Sequence, residues 1–504
     1  MRTLLLDVAA PLAVAAVVAA APVAAQSASR TPHFPTNEDL RHTRGVDDPQ
    51  LSPDGRFILA TVVEPTADGA QRHFWLVDVQ RGTSRQLTFS PAKSKTSETQ
   101  GRWSADGKFV FFTARRGDET QLFKLPMEGG EAAPFDLTIA PTMDASRTPG
   151  ATASSPETPA RSAPSIDVSA YTLSPDGAYA AVVARDPTTA AERKQQADRS
   201  DATWVDHDAH GTRLYLLDLR SSALRPVAVP ANVGQVAWSH ASDRLLVVSR
   251  PMHGAGDLEP ADTTWIVATA TPSRPMRLAT APPTIGNAVW SADDAHIVFT
   301  AQAEADAPPG FEDLYVLTIA SGAIRDLTRS FKGSIGSPLL DDGKGLIAAS
   351  TRGTAGGYVR VDPAGALTPI DLGPGVVGQL ATNERRTGWV YSRSSGSEPA
   401  SLFYTPSLDT PGTRLSLPAT TGDWLAVKPV VVSWKSDALT IEGLLYLPPE
   451  AATHRVPLVV NVHGGPAGVW RDNYQALSQF LIGQGWAVLE PNPRGSTGYG
   501  AAFA

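Results

Sequence analysis

Short apolar runs, each bounded by turn residues, recur along most of this chain. LSPDGRFILATVV (51–63) returns as WSADGKFVFFTAR (103–115), LSPDGAYAAVVAR (173–185), WSHASDRLLVVSR (238–250) and WSADDAHIVFTAQ (290–302). Weaker copies are LLDDGKGLIAAST (339–351) and LATNERRTGWVYS (380–392). A second pattern follows each copy. It is clearest as HFWLVDVQRGTSRQLT (73–88), RLYLLDLRSSALRPVA (213–228) and DLYVLTIASGAIRDLT (313–328), and fainter from Gln121, Thr264, Gly357 and Ser401. In Ser-Pro-Asp-Gly, Pro fixes φ, Asp caps its own backbone, and Gly takes the positive φ that closes a tight hairpin. The alternating apolar residues that follow predict a half-buried strand. The second pattern predicts another hairpin, with Asp78, Asp218 and Gly322 near its bends. Two hairpins make a four-stranded sheet that cannot bury both faces alone and must stack on its neighbours. The turn serines Ser52, Ser104, Ser174, Ser239 and Ser291 lie 52, 70, 65 and 52 residues apart. That spacing suits propeller blades with insertions better than a stacked solenoid. Seven pairs predict an all-β, seven-bladed β-propeller over residues 38–420.

Two insertions account for the longer spacings. Residues 140–165 are rich in Ala, Ser, Thr and Pro and predict a surface loop. Residues 186–210 carry AAERKQQADRSD, a candidate exposed helix, and end in Trp204, Asp206, His207, Asp208 and His210. That polar run reads as a solvated loop before it reads as a metal site.

After residue 421 the pattern changes class. VVVSWK (430–435) and IEGLLYLPP (441–449) read as two antiparallel strands. VPLVVNVHGGP (456–466) reads as a continuous apolar strand and a Gly-rich turn, 474–483 as a helix, and WAVLEPNPRG (486–495) as another buried strand. Unbroken apolar strands around a helix predict an α/β sheet with covered faces.

At the amino terminus Arg2 precedes an apolar stretch from Val8 to Ala25, ending in Val23-Ala24-Ala25 ahead of Gln26, as a signal-peptidase site requires. Pro11 and Pro22 break it, which disfavours an uncleaved membrane anchor. Residues 1–25 are read as a signal peptide and 26–37 as a linker. The expected location is periplasmic or secreted, with no stable membrane association after cleavage. Across 504 residues, 43 Lys and Arg oppose 51 Asp and Glu, and no basic block stands out, so a nucleic-acid groove is not expected. Gly and Pro number 42 each, about one residue in six, a turn-rich composition against background rates of about 7% and 5%. Cysteine is absent, which excludes a disulfide framework and a thiol nucleophile. No cofactor is expected.

His463-Gly464-Gly465-Pro466 after a buried strand, with Asn-Pro-Arg-Gly-Ser-Thr-Gly-Tyr-Gly at 492–500, resembles the prolyl oligopeptidase family of serine peptidases. The similarity is greatest to its acylaminoacyl-peptidase and dipeptidyl-peptidase-like members. The resemblance implies an N-terminal propeller followed by an α/β-hydrolase domain, of which 421–504 would be the N-terminal part. It also implies that Gly464 and Gly465 form one half of an oxyanion hole with His463 beside it, acting on short peptides. Arg494 and Gly495 are expected to shape the following loop, and Trp470 and Tyr474 fit the core equally well. The family's nucleophile sits at Gly-x-Ser-x-Gly, followed by Asp and then His. No Gly-x-Ser-x-Gly occurs in the chain; Ser496 comes nearest, with Arg494 where the first Gly belongs, and the histidines His454 and His463 both lie upstream. The expectation is therefore a peptidase fragment without its triad and inactive alone, with an unpaired apolar edge at 488–491 and a poorly formed C-terminal piece. The other reading is a non-catalytic propeller that binds a protein or peptide, as TolB-like propellers do. No Glu-Glu pair of the dipeptidyl type is found, Glu192 standing alone, which leans toward acylaminoacyl- or oligopeptidase-like specificity.

Overall fold

The computed structural model describes residues 32–66, 69–89, 97–116, 119–135, 137, 166–187, 190–198, 210–250, 262–278, 285–302, 310–417, 424–465 and 467–503. The leader, the 140–165 insertion and Trp204, Asp206, His207 and Asp208 lie outside these residues.

The repeat's local chemistry sets the fold. In the first turn the Ser52 hydroxyl donates to Asp54 Oδ1 at 2.6 Å and accepts from the Phe57 N–H at 2.9 Å, while Arg56 N–H reaches the same carboxylate. Ser104 with Asp106, Ser174 with Asp176 and Ser291 with Asp293 repeat this pattern. In the second hairpin, Asp78 and Asp218 accept two backbone N–H groups each across their bends. Each unit therefore folds into four consecutive antiparallel strands. Seven such sheets occur among the described residues, spanning 45–86, 98–134, 167–226, 233–278, 286–326, 334–370 and 376–414.

The sheets pack side by side in chain order, and the seventh returns to the first. Alternation along the second strand shows how. In Tyr179–Arg185, Ala180, Val182 and Ala184 join the core shared with the sheet before, and Ala181 and Val183 join the core shared with the sheet after. These strands are buried on both faces, not half-buried as their alternation suggests, because a neighbouring sheet covers each side. Seven apolar clusters each join two adjacent sheets; the closing one sets Val390 of the seventh against Leu51, Ile58 and Val77 of the first. Side chains close the same seam, with Gln379 Oε1 accepting from Asp48 N–H at 2.9 Å and Asn383 Nδ2 donating to Ser52 O at 2.7 Å. The result is a propeller-like ring.

The last sheet is mixed. Its strands run in the order Val430–Ser436, Leu439–Tyr446, Ala487–Asn492, Leu458–Val460; the first three pair antiparallel and the last pair is parallel. Two sequence expectations need correction here. The strand Ala487–Asn492 is internal, because Leu439–Tyr446 pairs along one side of it and Leu458–Val460 along the other, so the edges belong to Val430–Ser436 and to the three-residue strand Leu458–Val460, whose Leu458 and Val460 are each 54% exposed. The segment also has a core of its own. Leu444, Tyr446 and Val488 pack on Ile482 of the helix Ala476–Gly483, with Phe34 from ahead of the ring against them.

Candidate functional site

The strand Leu458–Val460 delivers His463, Gly464 and Gly465 to the end of the last sheet. Gly465 has φ +135°, and a Cβ there would lie 2.8 Å from Gly468 N, so the turn demands glycine. A Cβ on Gly464 would meet nothing within 4 Å; that side of the turn faces open space.

The second motif packs directly on the first. His463 Nε2 lies 2.8 Å from Ser496 Oγ, and Ser496 Oγ lies 2.6 Å from Pro493 O. The carbonyl can only accept, so the Ser496 hydroxyl donates to Pro493 and accepts from the His463 Nε2–H. Ser496 is fully buried. Its proton is committed and its oxygen enclosed, which is not the state of a nucleophile. It holds the ring of His463.

Below the turn lies a buried polar frame. Asn492 accepts from Trp470 N–H at 2.7 Å and donates to Trp470 O at 3.0 Å, and the Trp470 indole donates to Asn461 O at 2.8 Å. Trp470 thus packs against the core and also fixes the loop between the motifs. Glu490, fully buried beside it, accepts from Ser478 Oγ at 2.6 Å and Asn461 Nδ2 at 3.4 Å. Burial pushes the Glu490 carboxyl up, against the lowering pull of Ser478 and Asn461. Neither its Oε2 nor the facing Tyr446 hydroxyl reaches hydrogen-bonding geometry with a described residue. Tyr474 is half-buried and burial pushes its hydroxyl up to about 12. Arg494 turns outward to Asp437 at 2.7 Å.

The ring grips this loop. Gly353 N–H donates to Gly498 O at 2.8 Å, Asp472 N–H to Thr354 O at 2.9 Å, and Gly396 N–H to Asp472 Oδ1 at 3.0 Å. The sixth and seventh sheets therefore set the position of the turn. His463, Gly464 and Gly465 come together as one loop. Asn461, Ser478 and Glu490 escaped sequence reasoning, and Asn492 and Ser496 were singled out only as parts of the second motif, because a polar residue does not announce its partner. Among the described residues no group of three metal-ligating side chains occurs, and His210 is engaged by Glu192 at 2.7 Å.

No protein-family model matches the chain. Among curated proteins it is 30% identical over 210 residues to dipeptidyl aminopeptidase BIII of Pseudoxanthomonas mexicana, covering 38% of this chain and 30% of that protein. It is 21% identical over 505 residues to the uncharacterized peptidase YuxL of Bacillus subtilis, covering 93% and 72%. The relatives it matches are named as peptidases, which supports the resemblance to the prolyl oligopeptidase family. Solved structures agree at the level of fold. An acylaminoacyl peptidase in complex with Z-Gly-Gly-Phe-chloromethyl ketone superposes with a TM-score of 0.67 at 13% identity, over 92% of this chain and 67% of that one. A Mycobacterium tuberculosis puromycin-hydrolyzing peptidase gives 0.65 at 17% identity, over 94% and 70%. The chain thus spans under a third of the first relative and about seven tenths of the second.

Proposed function

We propose that the chain is the propeller and hydrolase-start portion of an exported serine peptidase that cleaves short peptides through an acyl-enzyme. In this reading residues 1–25 are the signal peptide, 38–420 a seven-bladed β-propeller, and 421–504 the N-terminal part of an α/β-hydrolase domain. The seven sheets and the mixed last sheet support that division. The observation that carries the function is the His463-Gly464-Gly465 turn, which leaves a parallel strand with an unobstructed side at Gly464.

Acyl transfer needs N–H donors already aimed where the carbonyl oxygen becomes negative. Backbone N–H groups of Gly464 and Gly465 are suited to that, since no side chain intervenes. His463, held by Ser496, fixes the start of the turn. A serine attacks the peptide carbonyl, a histidine takes its proton and passes it to the leaving amine, and water then releases the acyl group. This chain's assigned part is the oxyanion turn; none of its serines lies in a Gly-x-Ser-x-Gly setting. Reading the coding DNA past codon 504 tests the proposal. A Gly-x-Ser-x-Gly codon run, then Asp, then His, is expected; a stop codon directly after Ala504 would contradict it.

A further inference from the structure

One half-buried charge in the loop behind the turn has no counter-charge among the described residues. Arg471 is half-buried, and among the described residues its guanidinium has neither a carboxylate partner nor a hydrogen-bond acceptor. Its side chain lies at the seam between the sixth and seventh sheets. A Cβ built on Gly356 would stand 3.0 Å from its Cδ and 3.1 Å from its Nη1, and the same Cβ would touch Val376. The neighbouring Tyr358 hydroxyl is already spent on Gly378 O at 2.6 Å. Burial holds the Arg471 guanidinium below the usual arginine value, with only Tyr358 pulling the other way. Its backbone is not free to swing the charge into water. Trp470 on one side is clamped by Asn492, and Asp472 on the other by Thr354 and Gly396.

A desolvated guanidinium without an anion is costly, and what relieves it best is a carboxylate taken in a two-pronged contact. The position suits a peptide end. Gly468 folds back on the turn so closely that a Cβ there would stand 2.4 Å from Gly464 O. Arg471 follows three residues later, so its Cα is at most about 11 Å from that of Gly468, roughly three residues of extended peptide. We propose that Arg471 anchors the C-terminal carboxylate of a short peptide whose carbonyl lies a few residues away against the Gly464–Gly465 turn. The proposal rests on the peptide-site reading above and names the substrate class it prefers: short peptides with a free C-terminus.

Calorimetric titration of the full chain tests it, with Ala-Ala-Ala as free acid, the same peptide as its C-terminal amide, and Ala-Glu-Ala amide. The free acid is expected to bind at least about tenfold tighter than its amide. R471Q should erase that preference by weakening the acid alone, with thermal stability equal or higher because an unpaired charge has been removed; R471K should keep part of it. Equal binding of acid and amide would overturn the anchor while leaving the peptide site standing. So would a preference that survives R471Q, or Ala-Glu-Ala amide binding as tightly as the free acid. Absence of binding by all three would overturn anchor and peptide site together. If R471Q does not fold, the wild-type comparison and R471K still decide.

Discussion

Ser52 shows how a single hydroxyl holds a repeat together. It is 2% exposed, donates to Asp54 and accepts from Phe57 N–H. Ser52→Ala should cost about 1–2 kcal/mol, the range for losing such bonds in a buried turn, readable as a lower urea midpoint. Its counterpart Asp293, lowered to about 2 chiefly by the Ser291 hydroxyl, supplies stability above the unfolded carboxylate value that is lost as pH falls through about 2. Glu490 works in the opposite direction. Its raised folded value means that its contribution is full below the unfolded pKa and declines as pH rises through the folded one. Glu490→Gln should therefore flatten the loss of stability as pH rises above the unfolded carboxylate value, with little change at pH 4. Melting curves across pH would show this, and an unchanged slope above the unfolded carboxylate value would refute it.

At the scale of elements, the tryptophan ahead of the turn is a latch between sheets. The indoles of Trp103, Trp238 and Trp290 each donate to a first-strand carbonyl of the preceding sheet, on Gln50, Thr172 and Ala237 respectively. Trp290→Phe keeps the apolar body and removes the donor, so a loss of about 1 kcal/mol is expected. The repeats and their turns were legible in the sequence because Ser, Asp and Gly act within five residues of one another. The latches were not, since they join residues 53 and 66 apart. The order of the last sheet was hidden for the same reason. Nothing local in WAVLEPN says that Leu439–Tyr446 will cover one side of it while a strand of only three residues takes the other. The Gly-Gly turn and the motif from Asn492 were legible, whereas the buried Glu490 and the contacts by which Asn492 and Ser496 frame the turn were not.

On the scale of the whole molecule, the ring and the last sheet are coupled through few, well-placed bonds. Gln479, fully buried on the helix Ala476–Gly483, donates to Gly396 O and Val427 O and accepts from Val427 N–H. Gln479→Ala leaves those groups unpaired and should cost roughly 2–4 kcal/mol of local stability. Faster hydrogen exchange at Val427, with the ring's own amides unchanged, would show it. The ring itself depends on its closing seam, where Val390 meets Leu51, Ile58 and Val77. In the proposed function, the Gly464–Gly465 turn is one half of a pocket for peptides. Its most direct test is fluorophosphonate labelling, alone and after joining the segment encoded beyond codon 504. The 504-residue chain should stay unlabelled, Ser496 included; the extended chain should label on one serine, with Gly465→Val lowering peptide turnover at least about 100-fold. Labelling of Ser496 in the shorter chain, or full turnover by the extended Gly465→Val variant, would contradict it.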